Sequence, residues 1–258
     1  MSLVSTRFPV DWQPAHDSLI DRVIVVTGAY GGLGAAVARA VSRAGATVVI
    51  TGRRKRQLEQ LYDAMLAEGL PEPVIHPLDM EVATPNDYAA MADGLQRDFG
   101  RLDGVVHAAA SFTGLTPLAM HKPDDWLRAL HVNVSAAFAL TQACMPLLQS
   151  ASDSAAVFVL DDPSLLSKAH WGGYGVSKAA LERLVAILHE ETDRSSLRTH
   201  AILPAPMRTA IRKQAYFGED TTIHPLPDDT AQAIVYLLSQ AGAPARGRLL
   251  DLRQQISS

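Results

Sequence analysis

The sequence predicts an α/β protein in which one doubly wound parallel sheet of seven strands carries helices on both faces. Seven short runs are mostly apolar on both sides, which is typical of strands covered by helices above and below. Amphipathic stretches separate these runs, and such an alternation favours right-handed crossovers. The predicted strands are Arg22–Thr27, Thr47–Thr51, Val74–Leu78, Leu102–His107, Ala155–Leu160, Thr199–Leu203 and Arg248–Leu252.

The segments between these strands carry helical patterns. Apolar residues after Gly34 recur at the spacing i, i+3, i+4, i+7, which predicts a helix with one buried face. The two longest predicted helices cover Asp124–Leu148 and Gly175–Glu191. The single cysteine, Cys144, falls inside the first of them and is expected to be a buried apolar residue.

The chain is expected to form one domain. It has 258 residues and contains no repeat, low-complexity tract or linker that would divide it. We predict an irregular N-terminal arm over residues 1–21 and a single domain over residues 22–258. The longest stretch without a clear pattern is 207–227, and we expect a substrate loop there.

Composition excludes several classes of protein. The net charge of -4 and the lack of a basic stripe argue against a nucleic-acid surface. No run approaches the ~18 apolar residues that a spanning helix requires. One cysteine allows no internal disulfide, which fits a cytoplasmic protein. The histidines lack metal-ligand spacing, so no metal site is expected.

A glycine-rich segment, TGAYGGLG at residues 27–34, joins the first strand to the first helix. Glycine permits the sharp turn and lets the backbone approach a bound group closely. The helix that follows offers free N–H groups and the positive end of its dipole. Together these features predict a site for the pyrophosphate of a dinucleotide.

The end of the second strand indicates which dinucleotide binds. NAD-binding folds usually carry an acidic residue here for the ribose 2′-hydroxyl, whereas an arginine suits a 2′-phosphate. Gly52 stands at the expected position of the acid, and Arg53 follows it. We therefore expect NADP(H) to be favoured over NAD(H), with a solvated helix start as the alternative interpretation of Arg53.

Tyr174 and Lys178 begin a strongly helical segment well downstream of the glycine loop. Residues i and i+4 share one helix face, so the phenol and the ammonium are expected to be neighbours. A nearby positive charge favours the tyrosinate and lowers the pKa of the phenol. The pair therefore predicts an acid/base group for a carbonyl or alcohol oxygen.

These motifs resemble the short-chain dehydrogenase/reductase family over nearly all of residues 21–251, with its TGxxxGxG loop and YxxxK pair. Within that family the sequence looks most like the YciK-like bacterial oxidoreductases, on the segments Trp171–Tyr174, Asp103–His107 and Trp12–Pro14. The resemblance implies a single-domain Rossmann fold and a nicotinamide cofactor.

The resemblance also implies roles for individual residues. Asn133 matches the family's active-site asparagine, which helps to hold a water beside the lysine, and Asp79 is implied as the adenine contact. The segment Pro204–Thr209 is similar to the PGPxxT segment that lies against the nicotinamide. The implied catalytic residues are Tyr174, Lys178, Asn133 and Asp161. The cofactor contacts predicted from the motifs and from the resemblance are Gly28, Tyr30, Gly32, Leu33, Gly34, Arg53, Asp79, Ala109, Tyr174, Lys178, Met207 and Thr209.

Four positions depart from the family pattern. Alanines stand at 108, 110 and 205, where the family has an NAG segment and a glycine. The family's serine, thirteen residues before the tyrosine, is Asp161 here, and the nearest serine is Ser164. An ionised Asp161 would oppose ionisation of Tyr174, a protonated one could donate a hydrogen bond, and a local shift could bring Ser164 into the role. The sequence leaves these three alternatives open.

The sequence therefore predicts an NADP(H)-dependent oxidoreductase that moves a hydride between nicotinamide and a small carbonyl or alcohol substrate. The alternative is a catalytically impaired cofactor-binding protein, a sensor or structural subunit. We also expect a homodimer or homotetramer, because the two long helices carry more apolar residues than one sheet face can cover.

Overall fold

A computed structural model describes residues 3–9 and 11–253. It contains one sheet of eight parallel strands in the order β1-β8-β7-β6-β5-β2-β3-β4. The strands are β1 (Val4–Thr6), β2 (Val23–Thr27), β3 (Thr47–Gly52), β4 (Val74–Pro77), β5 (Gly104–His107), β6 (Ser154–Val159), β7 (Leu197–Leu203) and β8 (Arg248–Asp251).

The helices cover both faces of this sheet. They are α1 (Gly32–Arg43), α2 (Lys55–Ala67), α3 (Pro85–Phe99), α4 (Pro123–Leu130), α5 (Ala136–Ser150), α6 (Pro163–Leu166), α7 (Gly172–Thr192), α8 (Ala210–Ala215) and α9 (Asp228–Leu238). Within the described ranges, none of them has the length and apolar content needed to cross a membrane.

Alternate residues of each central strand supply two separate cores. Ile24 and Val26 of β2 pack with the buried faces of α1, α2 and α9. Their neighbours Val23 and Val25 pack with α3, α5 and α7 on the opposite side. Because both faces are buried, the central strands are mostly apolar, and the predicted doubly wound α/β fold is confirmed.

The predictions of seven strands and of an irregular N-terminal arm are wrong, because part of the arm forms a strand. Val4–Thr6 pairs in parallel with β8 and adds an eighth strand at the sheet edge. Phe8 and Trp12 then pack edge-on against Tyr236 of α9. Three partly exposed residues give too short a pattern to predict a strand. Residues 1, 2, 10 and 254–258 of the predicted arm and domain lie outside the described residues.

Two other predicted segments differ in detail. The long helix predicted over Asp124–Leu148 is α4 and α5 joined by one π-helical turn, His131–Ser135. The predicted loop over 207–227 contains α8 and a short 3₁₀ turn. Cys144 is fully buried as expected, and burial raises the pKa of its thiol to about 12. Its thiolate is therefore scarce at neutral pH.

A cluster of charged groups lies at the end of the sheet opposite the glycine loop. Asp153 accepts hydrogen bonds from Arg22 at 2.6 Å and from Arg198 at 2.7 Å. Arg198 also donates to the carbonyl oxygens of Leu237 and Leu238, the last residues of α9. The two guanidinium groups thus satisfy helix-end carbonyls that have no partner within the helix.

Two buried histidines are neutral in the folded protein. His107 bonds Thr141 at 2.8 Å, and His200 accepts from Arg198 at 3.1 Å and donates to Ala245. Burial lowers the pKa of each ring to about 3 from an ordinary 6.5. The neutral form of each ring therefore makes its full contribution to folding stability above pH 6.5. That contribution is lost as the pH falls toward 3.

We expect acid to destabilise the protein through these two rings. Between pH 7 and pH 5 the unfolded state takes up protons that the folded state refuses, which costs about 2 kcal/mol per histidine. Urea unfolding at both pH values measures the loss. His107→Gln should remove part of the pH dependence. An unchanged pH dependence in that variant would mean that folding does not disfavour protonation of His107.

Candidate active site

A cleft of 640 Å³ opens at the carboxyl ends of the strands, where β2, β5, β6 and β7 end. In open parallel sheets this edge is where ligands bind. All twelve predicted cofactor contacts line the cleft, as does Asp161. Asn133 does not.

The glycine loop permits very close packing of backbone segments. Gly28 has φ +61°, and a methyl group on it would lie 2.7 Å from the Cα of Ala109. A methyl group on Gly34 would lie 2.2 Å from the carbonyl oxygen of Gly28. Thr27 holds the facing strand end, because its hydroxyl accepts from the backbone N–H groups of Ala108 and Ala109. Side chains at these two positions would clash with the backbone, so glycine is required for the shape of this loop, which forms a cradle at the edge of the cleft.

Helix α1 begins at the floor of this cradle. Gly31 precedes it without a capping side chain, and its first turn contains no acidic residue. The first N–H groups of a helix have no partner within the helix, and the dipole makes this end positive. A dinucleotide pyrophosphate therefore fits the residues that are present.

Gly52 is required by a contact that the sequence did not reveal. A methyl group on it would lie 2.6 Å from the ring of Tyr30. The ring of Tyr30 thus covers the end of β3, where an acidic side chain would otherwise reach a ribose. Arg53, the next residue, keeps 41% of its side chain exposed.

Arg53 has an acidic partner in the cleft. Glu81 accepts a hydrogen bond from Arg53, and its carboxylate lies 3.5 Å from Nε of Arg128. All three side chains line the cleft. Sequence reasoning missed Glu81 and Arg128, because neither belongs to a motif and their contact depends on how α4 packs.

Tyr174 and Asp161 are joined directly. The Tyr174 hydroxyl donates to Asp161 Oδ2 at 2.8 Å. Burial, then the charge of Asp161, then this hydrogen bond raise the pKa of Tyr174 well above its ordinary value of 10.0. The expected lowering of this pKa by Lys178 is therefore wrong for the free protein, because burial and the carboxylate both favour the neutral phenol.

Lys178 lies on the same face of α7. Its Nζ donates to the carbonyl oxygen of Val159 at 2.8 Å and lies 5.7 Å from the centre of the Tyr174 ring. Burial lowers the pKa of Lys178 to about 8, and the charge of Asp161 opposes that shift. Lys178 therefore remains mostly protonated at neutral pH.

Asn133 lies behind the cleft wall within the π-helical turn. Its amide group donates to Ser111 O at 3.1 Å and accepts from Ser111 N at 2.7 Å. It also donates to the hydroxyl of Ser177, which in turn donates to the carbonyl oxygen of Tyr174. Asn133 thus links the cleft wall to the tyrosine helix. Sequence reasoning did not anticipate Ser177.

The other departures from the family pattern have simple structural outcomes. Ser164 bonds the side chain of Asp162 at the start of α6, so it does not take the place of the missing serine. Among the described residues, only Asp21 and His170 combine a side chain with positive φ. The alanines at 108, 110 and 205 therefore carry ordinary backbone torsions and cost little.

Aromatic rings form the wall beside Tyr174. The ring centroid of Phe112 lies 5.1 Å from that of Tyr174 and 5.5 Å from that of Trp171. The centroids of Trp171 and Tyr216 are 6.2 Å apart. Phe112, Trp171 and Tyr216 all line the cleft. Phe217 does not belong to this wall, because it is 94% exposed. His170 is also exposed and does not line the cleft.

Helix α8 covers the cleft above this wall. Arg212 pairs with Glu219 at 2.6 Å, and Glu219 also bonds His224 at 3.1 Å. Arg208 donates to the carbonyl oxygen of Thr222 at 2.9 Å. Ion pairs and hydrogen bonds of side chains thus hold together the segment in which the substrate loop was predicted.

This arrangement of sheet, glycine loop and α1 defines a Rossmann-type nucleotide-binding fold. A family model described as short chain dehydrogenase matches residues 22–219. The chain therefore belongs to the short-chain dehydrogenase family. It is 33% identical over 240 residues to an uncharacterized oxidoreductase, YciK, of Escherichia coli K12, which covers 93% of this chain and 95% of that protein.

Solved structures support the same assignment. A short chain dehydrogenase from Pseudomonas syringae superposes with a TM-score of 0.87 at 36% identity, covering 94% of this chain and 99% of that one. One from Escherichia coli CFT073, complexed with NADPH, gives a TM-score of 0.88 at 33% identity and covers 92% and 99% of the two chains. The similarity thus extends over almost the whole chain.

Proposed function

We propose that this protein is an NADP(H)-dependent oxidoreductase that transfers a hydride between nicotinamide and a small substrate. The observation that carries the proposal is the meeting of a glycine-lined anion cradle and the Tyr174/Lys178 pair in one cleft. The cradle suits a dinucleotide, and the pair suits proton transfer at the reacting atom.

Each residue has a distinct part in this proposal. When bound, a nicotinamide cofactor supplies or accepts the hydride. Tyr174 gives a proton to the substrate or takes one from it, and Lys178 holds a positive charge next to it. Asn133 is a positioning residue, since its bonds to Ser111 and Ser177 fix the wall and the tyrosine helix. Trp171 and residues of α8 line the same cleft.

The preference for NADP(H) rests on Arg53. Arg53 lines the cleft at the end of β3, and that strand ends in Gly52, which packs against the Tyr30 ring, rather than in an acidic residue. A 2′-phosphate would compete with Glu81 for the same guanidinium. A structural relative complexed with NADPH supports the proposal by similarity.

Arg53→Ala should weaken NADPH binding by about ten- to a hundredfold, because a hydrogen bond to a charged group contributes roughly 1.5–3 kcal/mol. NADH binding should change little, since NADH lacks the phosphate. Isothermal titration with both cofactors measures the difference.

Arg54→Ala is the matched control for this experiment. Arg54 is the adjacent exposed arginine and does not line the cleft. It should leave both affinities unchanged. A wild-type preference for NADH, or an equal loss for both cofactors in Arg53→Ala, would count against the assignment.

We also propose a homodimer or homotetramer. Apolar side chains remain exposed on the faces of α5 and α7, with Phe138 at 47%, Val176 at 46% and Ile187 at 49%. A second copy would cover them. Sedimentation at micromolar concentration should give a dimer or tetramer mass, and a monomer mass would contradict this.

A further inference from the structure

The end of the cleft beside β3 and β4 contains one carboxylate between two guanidinium groups. Oε1 of Glu81 accepts a hydrogen bond from Arg53, and Oε2 lies 3.5 Å from Nε of Arg128. The second distance exceeds the roughly 2.7–3.2 Å of an N–H···O bond, so the contact with Arg128 is an ion pair only. Arg53 is therefore the principal partner of Glu81, and Arg128 is a second positive charge within reach.

The fold brings Arg53 and Glu81 together from the ends of neighbouring strands. Gly52 ends β3, and its carbonyl oxygen accepts from the N–H of Leu78, which follows β4, at 3.1 Å. The side chain of Asp79 then accepts from the backbone N–H of Glu81 at 3.0 Å, which fixes the turn. Backbone contacts, and not the charges alone, therefore place Glu81 beside Arg53.

The formal charges of this cluster cancel. Arg128 also pairs with Asp125 at 3.1 Å, so two guanidinium groups meet two carboxylates. A 2′-phosphate would add about 1.5 to 2 negative charges to this balanced cluster. Glu81 would repel that phosphate, because both need the guanidinium of Arg53.

NADH makes no such demand on the cluster. Its ribose carries a neutral 2′-hydroxyl, which is not repelled by Glu81 and does not need the guanidinium of Arg53. The contact between Arg53 and Glu81 can therefore persist when NADH binds, whereas NADPH must weaken it. A group that disfavours one of two ligands sets specificity as much as a group that attracts the other.

We propose that Glu81 is a specificity-determining residue that lowers the preference of this protein for NADPH over NADH. Arg128 is a positioning residue that holds Glu81 when Arg53 turns to the 2′-phosphate. This inference rests on the proposed binding of NADP(H) at Arg53 and deepens it. The wild type then discriminates less between the two cofactors than Arg53 alone would allow.

The exposure of the cluster sets the size of the effect. The side chains of Arg53 and Arg128 are each 41% exposed, and that of Glu81 is 28% exposed. Water and salt screen charges at such positions, so each ion pair contributes little. Removal of the Glu81 charge should therefore tighten NADPH binding by about three- to tenfold, and not by several orders of magnitude.

Glu81→Gln tests the competition, because glutamine keeps the shape of the side chain and removes its charge. Isothermal titration should give NADPH binding about three- to tenfold tighter than in the wild type, with NADH affinity changed less than about twofold. Unchanged or weaker NADPH binding would overturn the proposal, since Glu81 would then only support Arg53. An equal gain for NADH would overturn it as well.

Glu68→Gln is the matched control for Glu81→Gln. Glu68 also joins two arginines, Arg39 and Arg43, is 35% exposed and lies outside the residues that line the cleft. The substitution changes the net charge of the protein by the same amount and should leave both cofactor affinities unchanged. A gain for NADPH equal to that of Glu81→Gln would show a general effect of net charge and contradict the role of Glu81.

A second pair of variants tests Arg128. Arg128→Gln should weaken NADPH binding at least about twofold in the wild type, because Glu81 loses its alternative partner and stays with Arg53. The same substitution added to Glu81→Gln should have no effect, since no carboxylate remains to be held. An equal loss in both backgrounds, or no loss in the wild type, would overturn the positioning role of Arg128.

Arg53→Ala separates this inference from the proposed cofactor preference. If Arg53→Ala weakens NADPH binding selectively but Glu81→Gln does not tighten it, the role of Glu81 alone fails. If Arg53→Ala affects both cofactors equally, the 2′-phosphate site at Arg53 fails and the role of Glu81 fails with it. A wild type that binds neither cofactor would overturn the proposed function itself. Retained NADH binding confirms that each variant is folded.

Discussion

Asp161→Ser should raise the rate of ketone reduction at neutral pH by about a hundredfold, the typical effect of one hydrogen-bond donor at a developing oxyanion. Asp161 sits where a donor is required, yet its carboxylate only accepts, from Tyr174 and from the N–H of Asp162. A serine hydroxyl can donate without adding charge. It also releases the Tyr174 hydroxyl for the substrate.

The same substitution should move the pH dependence of alcohol oxidation. The charge of Asp161 and its hydrogen bond raise the pKa of Tyr174 beyond the effect of burial. Their removal lowers that pKa, so the tyrosinate needed as a base forms at lower pH and the rate profile shifts to lower pH. Initial rates across a pH series measure the shift.

Asp162→Ser provides the control for these measurements. Asp162 is the adjacent carboxylate, but Arg253 forms an ion pair with it, and its side chain caps α6 by accepting from the N–H of Ser164. Its replacement should not accelerate ketone reduction. If Asp161→Ser leaves that rate unchanged or lowers it, the aspartate is not what limits carbonyl chemistry.

Asp153→Ala should lower the free energy of unfolding by about 3–5 kcal/mol, because it leaves two largely buried guanidinium groups without a counter-charge. The side chains of Arg22 and Arg198 are 12% and 5% exposed. Burial alone would raise the pKa of Asp153, but the hydrogen bonds and charges of Arg198 and Arg22 outweigh it and lower that pKa. Urea unfolding at pH 7 measures the loss.

Glu68→Ala is the matched control for Asp153→Ala. Glu68 also joins two arginines, Arg39 and Arg43, but its side chain is 35% exposed. Its removal should cost less than about 1 kcal/mol, since exposed ion pairs contribute little. Equal losses for Asp153→Ala and Glu68→Ala would contradict the importance of burial in the cluster.

The sequence predicted the fold where its pattern is dense. The seven predicted strands are mostly apolar on both faces, so their identity follows from the residue pattern. Strand β1 has three residues and gains its structure from pairing with β8, which no local pattern reveals. The helix predicted over 124–148 was found in outline, but its π-helical turn depends on packing around Asn133.

The candidate site was also predictable only in part. The proximity of Tyr174 and Lys178 was predictable from one helix face, and the place of Asp161 beside them was implied by the family resemblance. The link between Arg53 and Glu81 was not, because it joins the ends of two strands through side-chain conformation. The expected lowering of the Tyr174 pKa by Lys178 was wrong, because burial and Asp161 raise that pKa, and an opposing effect of Asp161 was one of the alternatives that the sequence left open.

The most direct test of the oxidoreductase function compares wild type with Tyr174→Phe. NADPH absorbance is followed against a panel of carbonyl and imine compounds, and NADPH binding is measured separately by titration. We expect the wild type to oxidise NADPH with at least one compound. Tyr174→Phe should bind NADPH equally but react about a hundredfold or more slowly with carbonyl compounds. A wild type that binds NADPH yet oxidises it with none of the compounds would contradict the account and favour a cofactor-binding sensor or structural subunit.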